Sequence, residues 1–197
     1  VICDFRPTYE KQRVKIELGG LSGEERWEYC DRILGDLGIE IDRNNEDFRT
    51  LMDKLAGHPL AMRVILPRLE KMSSAAIISA LQSNIEQLGL EAGEIEEQLW
   101  AALRLAEQTI PEKQRDLLTP LAMHERFVDR DWLEAMAKST GQKWTKSQIN
   151  IVFERLSAAG LLHELKDSIY EVHPALTGYL RSQVAGAEPK QKRDTWA

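Results

Sequence analysis

The chain has 197 residues, of which 43% are hydrophobic and 29% charged, values typical of a globular protein with one large domain or two small ones. Its net charge of -6 repels nucleic-acid phosphates, so DNA or RNA binding would require a strongly segregated basic face. No apolar stretch approaches the ~20 residues needed to cross a bilayer, and the N-terminus lacks the basic-then-apolar order of a signal peptide.

The number and spacing of the cysteines indicate the redox state of the cellular compartment. Cys3 and Cys30 lie outside any C-x-x-C or Cys/His spacing, which argues against a disulfide framework and against a zinc site. Free thiols are typical of a reducing compartment, so we expect a cytoplasmic protein. The chain begins with VICDF and no methionine, which indicates a part of a longer protein.

Two short strands and a helix are predicted first. VICDF and RVKIEL (13–18) have the composition and alternation of strands. Ser22 and Glu25 then form an S-x-x-E pattern, which predicts a capping box at a helix start. Apolar residues follow at helical spacing, namely Trp27, Cys30, Ile33, Leu34 and Leu37. Gly38 is expected to end this helix.

A second helix leads into a sharp joint. EDFRTLMDKLA carries an apolar stripe of Phe48, Leu51, Met52 and Leu55. Gly57 suits the position after a helix where a positive φ is needed, and Pro59 suits the first turn of the next helix, where its missing N–H costs nothing. Two further helices are predicted in SAAIISALQSNIEQLG and EIEEQLWAALRLAEQTI.

From Pro111 onward the order of elements is that of a winged helix. Three helices are predicted in PEKQRDLLTPLAMH, DRDWLEAMAKSTG and TKSQINIVFERLSAAG. GLLHELKDSIYEVHP then predicts two alternating strands that form the wing. A last helix is predicted in PALTGYLRSQVAG, and the polar tail after it is expected to be unstructured. The predicted fold class is therefore mainly α, a small helical bundle followed by a winged helix with a two-stranded wing.

Four features occur in a characteristic order: a strand ending in arginine (VICDFR), a helix start (ELGGLSGEER), the joint GHPLAM, and a winged helix leading into VHPAL. This order resembles the C-terminal part of the nucleotide-binding module of STAND ATPases. This module is of the NB-ARC type, which occurs in plant resistance proteins, the apoptosome scaffold and many bacterial regulators. The resemblance covers residues 1–184. The chain has no GxxxxGK[ST] phosphate loop, so the resemblance implies that the catalytic half precedes Val1.

The resemblance assigns roles to five residues. Gly57, Pro59 and Leu60 match the GxP motif, in which the proline packs on the base of the nucleotide. His173 matches the histidine that the winged helix directs at the β-phosphate of ADP. Arg6 resembles the sensor arginine that reads the terminal phosphate. Imidazole suits the role of His173, because its N–H can bind a phosphate and release it again.

The remaining histidines and one proline depart from the family or have no role. His58 stands where the family has leucine or a small residue, and we predict that it is a surface loop residue. Pro174 stands where plant members of the family have aspartate. Bacterial relatives have proline at this position. His124 and His163 show no partner residues in the sequence.

The resemblance also implies a domain organisation. Residues 1–20 would be the edge of a missing α/β nucleotide-binding domain. A helical subdomain at 21–90 and a winged-helix domain at 91–184 would follow, with a polar tail at 185–197.

The function implied is that of a nucleotide switch. ADP would lock the closed state, and exchange for ATP would release the winged helix and permit self-association. The partners would be the phosphate-loop domain of the same chain and further sensor and effector domains, with no membrane. The chain itself is expected to hydrolyse no ATP and to bind ADP or ATP only weakly.

Two alternatives remain open. A winged helix can read DNA with its third helix, whose outward positions here are Lys146, Gln148, Asn150, Glu154 and Arg155. This face has two cations and one carboxylate and would bind phosphates only weakly, so nucleic-acid binding is disfavoured. The other alternative is a protein-interaction adaptor that has no dependence on nucleotide.

Overall fold

The computed structural model describes residues 19–88, 95–139 and 144–186. The predicted strands at 1–18, Arg6 within them and the tail at 187–197 lie outside the described residues. The helices are α1 (Gly23–Asp36), α2 (Glu46–Lys54), α3 (Pro59–Ile65), α4 (Ser74–Leu88), α5 (Ile95–Gln108), α6 (Leu118–Leu121), α7 (Arg130–Ser139), α8 (Lys146–Ala158) and α9 (Pro174–Gly186). The strands are β1 (Phe127–Asp129), β2 (Leu162–Lys166) and β3 (Ile169–Val172). Two short 3-10 segments are Leu66–Glu70 and Glu112–Leu117.

The protein is mainly helical, as predicted, and its small sheet is antiparallel with the order β1-β3-β2. The wing predicted as two strands has a third, because β1 pairs with β3 in the register Val128 to Tyr170. Only Val128 of β1 is buried, whereas Phe127 is exposed. Three residues are too few to show an alternating pattern in the sequence, and this is why β1 was not predicted.

Helix α1 ends as predicted but does not begin as predicted. Gly38 has a φ of +65°, and the N–H groups of Gly38 and Ile39 donate to Gly35 and Leu34. The side chain of Ser22 accepts no capping hydrogen bond, so the predicted capping box is wrong. Gly23, the first helical residue, has a φ of +51°, and this left-handed start replaces the geometry that a serine cap requires.

The apolar stripe predicted for α2 is confirmed. Phe48, Leu51, Met52 and Leu55 are all buried, the last three completely. Asn45 caps this helix by accepting a hydrogen bond from the N–H of Phe48 at 2.9 Å. The helix therefore presents its whole apolar face to the core.

One apolar core extends from α1 to α9, and α5 lies in its middle. Helix α5 packs against α3 and α4 on one side and against α9 on the other. The predicted domain boundary near residue 90 falls in the range 89–94, outside the described residues, and stays a prediction.

Hydrogen bonds to α4 on one side and to α9 on the other hold α5 between its neighbours. Asn84 of α4 is buried, donates to the carbonyl of Ala101 at 3.3 Å and accepts from Gln108 at 3.0 Å. On the other side the hydroxyl of Tyr179 donates to the carboxylate of Glu107 at 2.5 Å. Burial, followed by the hydrogen bond to Glu107, raises the pKa of Tyr179. Each contact satisfies a buried polar group, whose loss would be costly.

Among the described residues, every helix is either too short or too polar to cross a lipid bilayer.

Replacing Tyr179 by phenylalanine removes the hydroxyl and leaves the carboxylate of Glu107 paired with Arg104 at 3.2 Å. We expect Tyr179→Phe to lower the free energy of unfolding by about 1–3 kcal/mol, since the lost hydrogen bond has a charged acceptor. Urea denaturation of Tyr179→Phe, Glu107→Gln and the double variant measures the coupling. Strictly additive losses would show that this contact does not tie α5 to α9.

Candidate functional site

The joint after α2 is a left-handed corner of the backbone. Ala56 has a φ of +48° and Gly57 a φ of +66°, and the N–H of His58 donates to the carbonyl of Leu55 at 2.8 Å. The positive φ predicted for Gly57 is therefore confirmed. The same conformation at Ala56 was not predicted, because an alanine rarely adopts it.

The start of the first helix closes against this corner. The N–H of Leu21 donates to the carbonyl of Gly57 at 2.8 Å. A Cβ atom on Gly57 would lie 1.9 Å from the carbonyl oxygen of Leu21, and one on Gly20 would lie 2.1 Å from that of Ala56. Only glycine permits both approaches. Two of the four sequence features, ELGGLSGEER and GHPLAM, are thus in direct backbone contact.

His58 caps the helix that begins at this corner. Its Nδ1 accepts a hydrogen bond from the N–H of Ala61 at 3.3 Å, Pro59 is the first residue of α3, and Leu60 is buried. The prediction that His58 is a surface loop residue is therefore wrong, since the ring is half-buried and holds the helix start. A neutral imidazole that accepts at Nδ1 carries its proton on Nε2, which makes Nε2 a donor.

His173 has the same role at the start of α9. The ring Nδ1 of His173 accepts a hydrogen bond from the backbone N–H of Ala175 at 3.2 Å. The backbone N–H of His173 donates to the carbonyl of Leu161 at 3.0 Å. Pro174 opens α9 as Pro59 opens α3. The neutral ring of His173 therefore also offers an Nε2–H donor.

The electrostatic surroundings of His173 include two groups of the helical bundle. Burial lowers the pKa of His173, and the positive charges of His58 and Arg63 lower it further, whereas Glu171 opposes this. Burial also lowers the pKa of His58. His58 and Arg63 are thus the two groups of the helical bundle whose charge acts on the imidazole of His173.

The packing of Arg63 places helix α3 against the segment that follows α8. Arg63 of α3 packs against Gly160, which follows α8 with a φ of +69°, and a Cβ there would lie 2.4 Å from the Nε of Arg63. The next residue, Leu161, is the one whose carbonyl binds the N–H of His173. Helix α3 therefore touches the segment that holds His173.

Gly57, Pro59, Leu60 and His173 thus belong to one junction between the helical bundle and the winged helix, and we call it the His-Pro junction. Arg6 lies outside the described residues. The position of Arg63 at this junction and the capping role of His58 were not predicted from the sequence. The repetition of His-Pro in GHPLA and VHPAL was the available signal for His58.

A polar cavity of about 420 Å³ lies beside this junction. It is lined by Arg63 together with residues of α8 and of the β2-β3 hairpin, among them Asn150 and Glu154. Arg155 of α8 lines a second cleft of about 410 Å³, which it shares with Pro67 and Arg68 of the helical bundle. Part of the outward face of the third winged-helix helix is thus turned toward the bundle, a position poorly suited to reading a DNA groove.

No group of three or more His, Cys, Asp or Glu side chains within the described ranges could hold a metal ion. The groups at the junction offer hydrogen-bond donation from two imidazoles and the positive charge of one guanidinium.

The corner at Gly57 can be tested against a matched glycine. Gly38 has nearly the same φ, but a Cβ there would meet nothing within 4 Å. We expect Gly38→Ala to cost about 1–2 kcal/mol for the left-handed backbone alone, and Gly57→Ala about twice that or more because of the collision with Leu21. Urea denaturation measures both losses. Equal losses would mean that the corner is not closed by Leu21.

Comparisons with known proteins do not place this chain in a family. No protein-family model matches it, and no curated protein matches it. Its interpretation depends on the geometry of the described residues and on the order of motifs in the sequence.

Proposed function

We propose that this chain is the regulatory part of a STAND (NB-ARC-like) signal-transduction ATPase, whose helical and winged-helix subdomains close over ADP. The observation that carries the proposal is that α3, which begins at the Gly57 corner, packs through Arg63 on Gly160, next to the residue whose carbonyl accepts the backbone N–H of His173, more than a hundred positions away in the sequence. A clasp for one small ligand requires such a meeting of two subdomains.

The groups at the junction suit a nucleoside diphosphate. Pro59 offers an apolar ring without an N–H donor, which can pack on a purine base. His173 offers an Nε2–H at the start of the thirteen-residue helix α9, where the helix dipole also favours an anion. One end of the ligand would thus contact α3 and the other end α9.

Such a clasp would act as a switch. A ligand shifts a conformational equilibrium only by its difference in affinity for the two states. ADP that touches both subdomains favours the closed state, and allosteric couplings of this kind typically amount to about 1–3 kcal/mol. ATP with its additional phosphate would favour release of the winged helix and self-association of the parent protein.

The proposal includes partners and a compartment. A phosphate-loop domain of the same parent protein would supply most of the affinity for nucleotide, and a cytoplasmic location would supply ATP and ADP. Sensor and effector domains would complete the protein.

The weak affinity for ADP that the proposal predicts can be measured on this chain without the phosphate-loop domain. Because no GxxxxGK[ST] loop is present, we expect isothermal titration of the 197-residue chain with ADP to give an affinity weaker than micromolar. Affinity in the micromolar range or tighter would show that the chain needs no phosphate-loop domain.

The role of His173 can be measured in the parent protein. We expect His173→Ala to reduce the amount of ADP that copurifies and to increase the oligomeric fraction without any signal, because the closed state loses its phosphate contact. His124→Ala, which alters the histidine whose Nδ1 contacts the carbonyl of Pro120, serves as the matched control. Nucleotide chromatography and light scattering report the two quantities. Unchanged ADP content and unchanged mass in His173→Ala would contradict the proposal.

A further inference from the structure

Arg68 is a half-buried cation that has no carboxylate partner in the described part of the chain. It belongs to the 3-10 segment Leu66–Glu70, and its Nη2 donates to the carbonyl of Leu105 in α5 at 2.7 Å. Its Nε is buried and has no hydrogen-bond partner. Burial lowers the pKa of Arg68. A buried charge is costly unless it is paired, so this guanidinium would be stabilised by an anion.

The cleft of about 410 Å³ that Arg68 lines is mostly apolar, and we call it the Arg68 cleft. Its apolar side chains include Leu37 after α1, Pro67 and Met72 of the 3-10 region, and Ala159 after α8. Leu37 is 49% exposed, so a molecule in the cleft would remove apolar surface from water. Pockets for small molecules have volumes of about 300–1,000 Å³, and this cleft is therefore large enough for a small one.

The Arg68 cleft has an excess of positive charge. Arg68, Lys71 and Arg155 line it, and Glu70 is the one carboxylate among the described residues that do so. Glu70 lies 4.0 Å from the ammonium group of Lys71, so its charge is shared with that cation. Since the whole chain has a net charge of -6, this excess of cations is local. The cleft therefore favours an anionic ligand over a neutral or cationic one.

The polar cavity beside the His-Pro junction has no such excess. Arg63 and Arg130 line it together with Glu154 and Glu164. Arg130 also lies 3.8 Å from the carboxylate of Asp131. Because its arginines and carboxylates balance, this cavity does not select an anion. The Arg68 cleft differs from it in combining an apolar surface with unbalanced positive charge.

We propose that the Arg68 cleft binds a small molecule that has an apolar body and one carboxylate. The carboxylate pairs with Arg68, whose planar guanidinium can donate to both oxygens of a carboxylate. The apolar body lies on Leu37, Pro67 and Met72, and the flexible methionine adapts to its shape. The cleft and the residues of the His-Pro junction have no lining residue in common, so this site is separate from the one proposed for ADP.

The head group of the ligand can be tested with three probes that have the same alkyl chain. We would titrate the 197-residue chain with decanoate, decanol and decylammonium by calorimetry, at a pH where decanoate is ionised. We expect decanoate to bind about tenfold or more tightly than decanol, the ratio typical of a hydrogen bond between charged groups, and decylammonium to bind more weakly than either. Equal affinities for the acid and the alcohol, or no saturable binding of decanoate, would overturn the proposal.

The role of Arg68 can be tested against a matched arginine. Arg68→Met keeps an apolar side chain and removes the charge. Arg115→Met is the control, because Arg115 is also half-buried and donates to the carbonyls of Ile110 and Gln108, but it does not line the cleft. We expect Arg68→Met to weaken decanoate about tenfold and to leave decanol within about twofold, and Arg115→Met to change neither. Equal losses for decanoate and decanol in Arg68→Met would mean that Arg68 only supports the fold.

A second variant decides the matter if circular dichroism shows that Arg68→Met does not fold. Arg155 is exposed on α8, so Arg155→Gln should leave the structure intact. We expect it to weaken decanoate about two- to threefold, as is typical of an exposed ion pair, and to leave decanol unchanged. If Arg155→Gln binds decanoate as the original chain does, the cations of the cleft do not recognise the carboxylate and the proposal is wrong.

Methyl signals in nuclear magnetic resonance locate the bound probe. We expect decanoate to shift the signals of Leu37, Val64 and Met72, which line the cleft, and to leave that of Leu162, which lines the polar cavity. Shifts confined to other methyl groups would contradict the site. Without ligand, a Leu37 signal that moves with protein concentration would mean that a second copy covers the cleft, and one that moves in Trp196→Ala would mean that the tail does. Either result would overturn the proposal.

Discussion

The arrangement of the whole junction depends on one backbone feature, the left-handed corner at Ala56 and Gly57 that is closed by the N–H of Leu21. The corner reverses the chain within a few residues, so α3 begins directly beside the start of α1. It also places His58 at the first turn of α3 and turns the following helix so that Arg63 reaches Gly160. A different conformation at this point would change the direction of α3 and move Arg63 away from Gly160.

The sequence predicted those elements whose signal is local. Apolar periodicity gave the helices, and Gly57 with Pro59 gave the corner, because a positive φ and a missing N–H each favour one residue type. The sequence did not predict β1, whose three residues depend on pairing with β3. It also predicted a cap at Ser22 that does not form, and Gly23 instead begins the helix with a left-handed φ.

The candidate site shows the same division between local and long-range signals. Gly57, Pro59 and His173 could be named from the order of motifs. Their meeting could not be derived from any pattern, because it depends on contacts between α3 and the segment after α8. The half-buried state of His58 likewise follows from that packing. We propose that the junction binds a diphosphate because its imidazole donors come from the starts of α3 and α9.

The central claim is that ADP holds the two subdomains closed, and the most direct test is a distance. Spin labels at Asp47 of α2 and Gly178 of α9, both exposed, would be placed in the parent protein with Cys3 replaced by serine. Pulsed electron paramagnetic resonance would compare the ADP-bound and ATP-bound forms. The account predicts one narrow distance distribution with ADP and a longer, broader one with ATP, whereas identical distributions would contradict it.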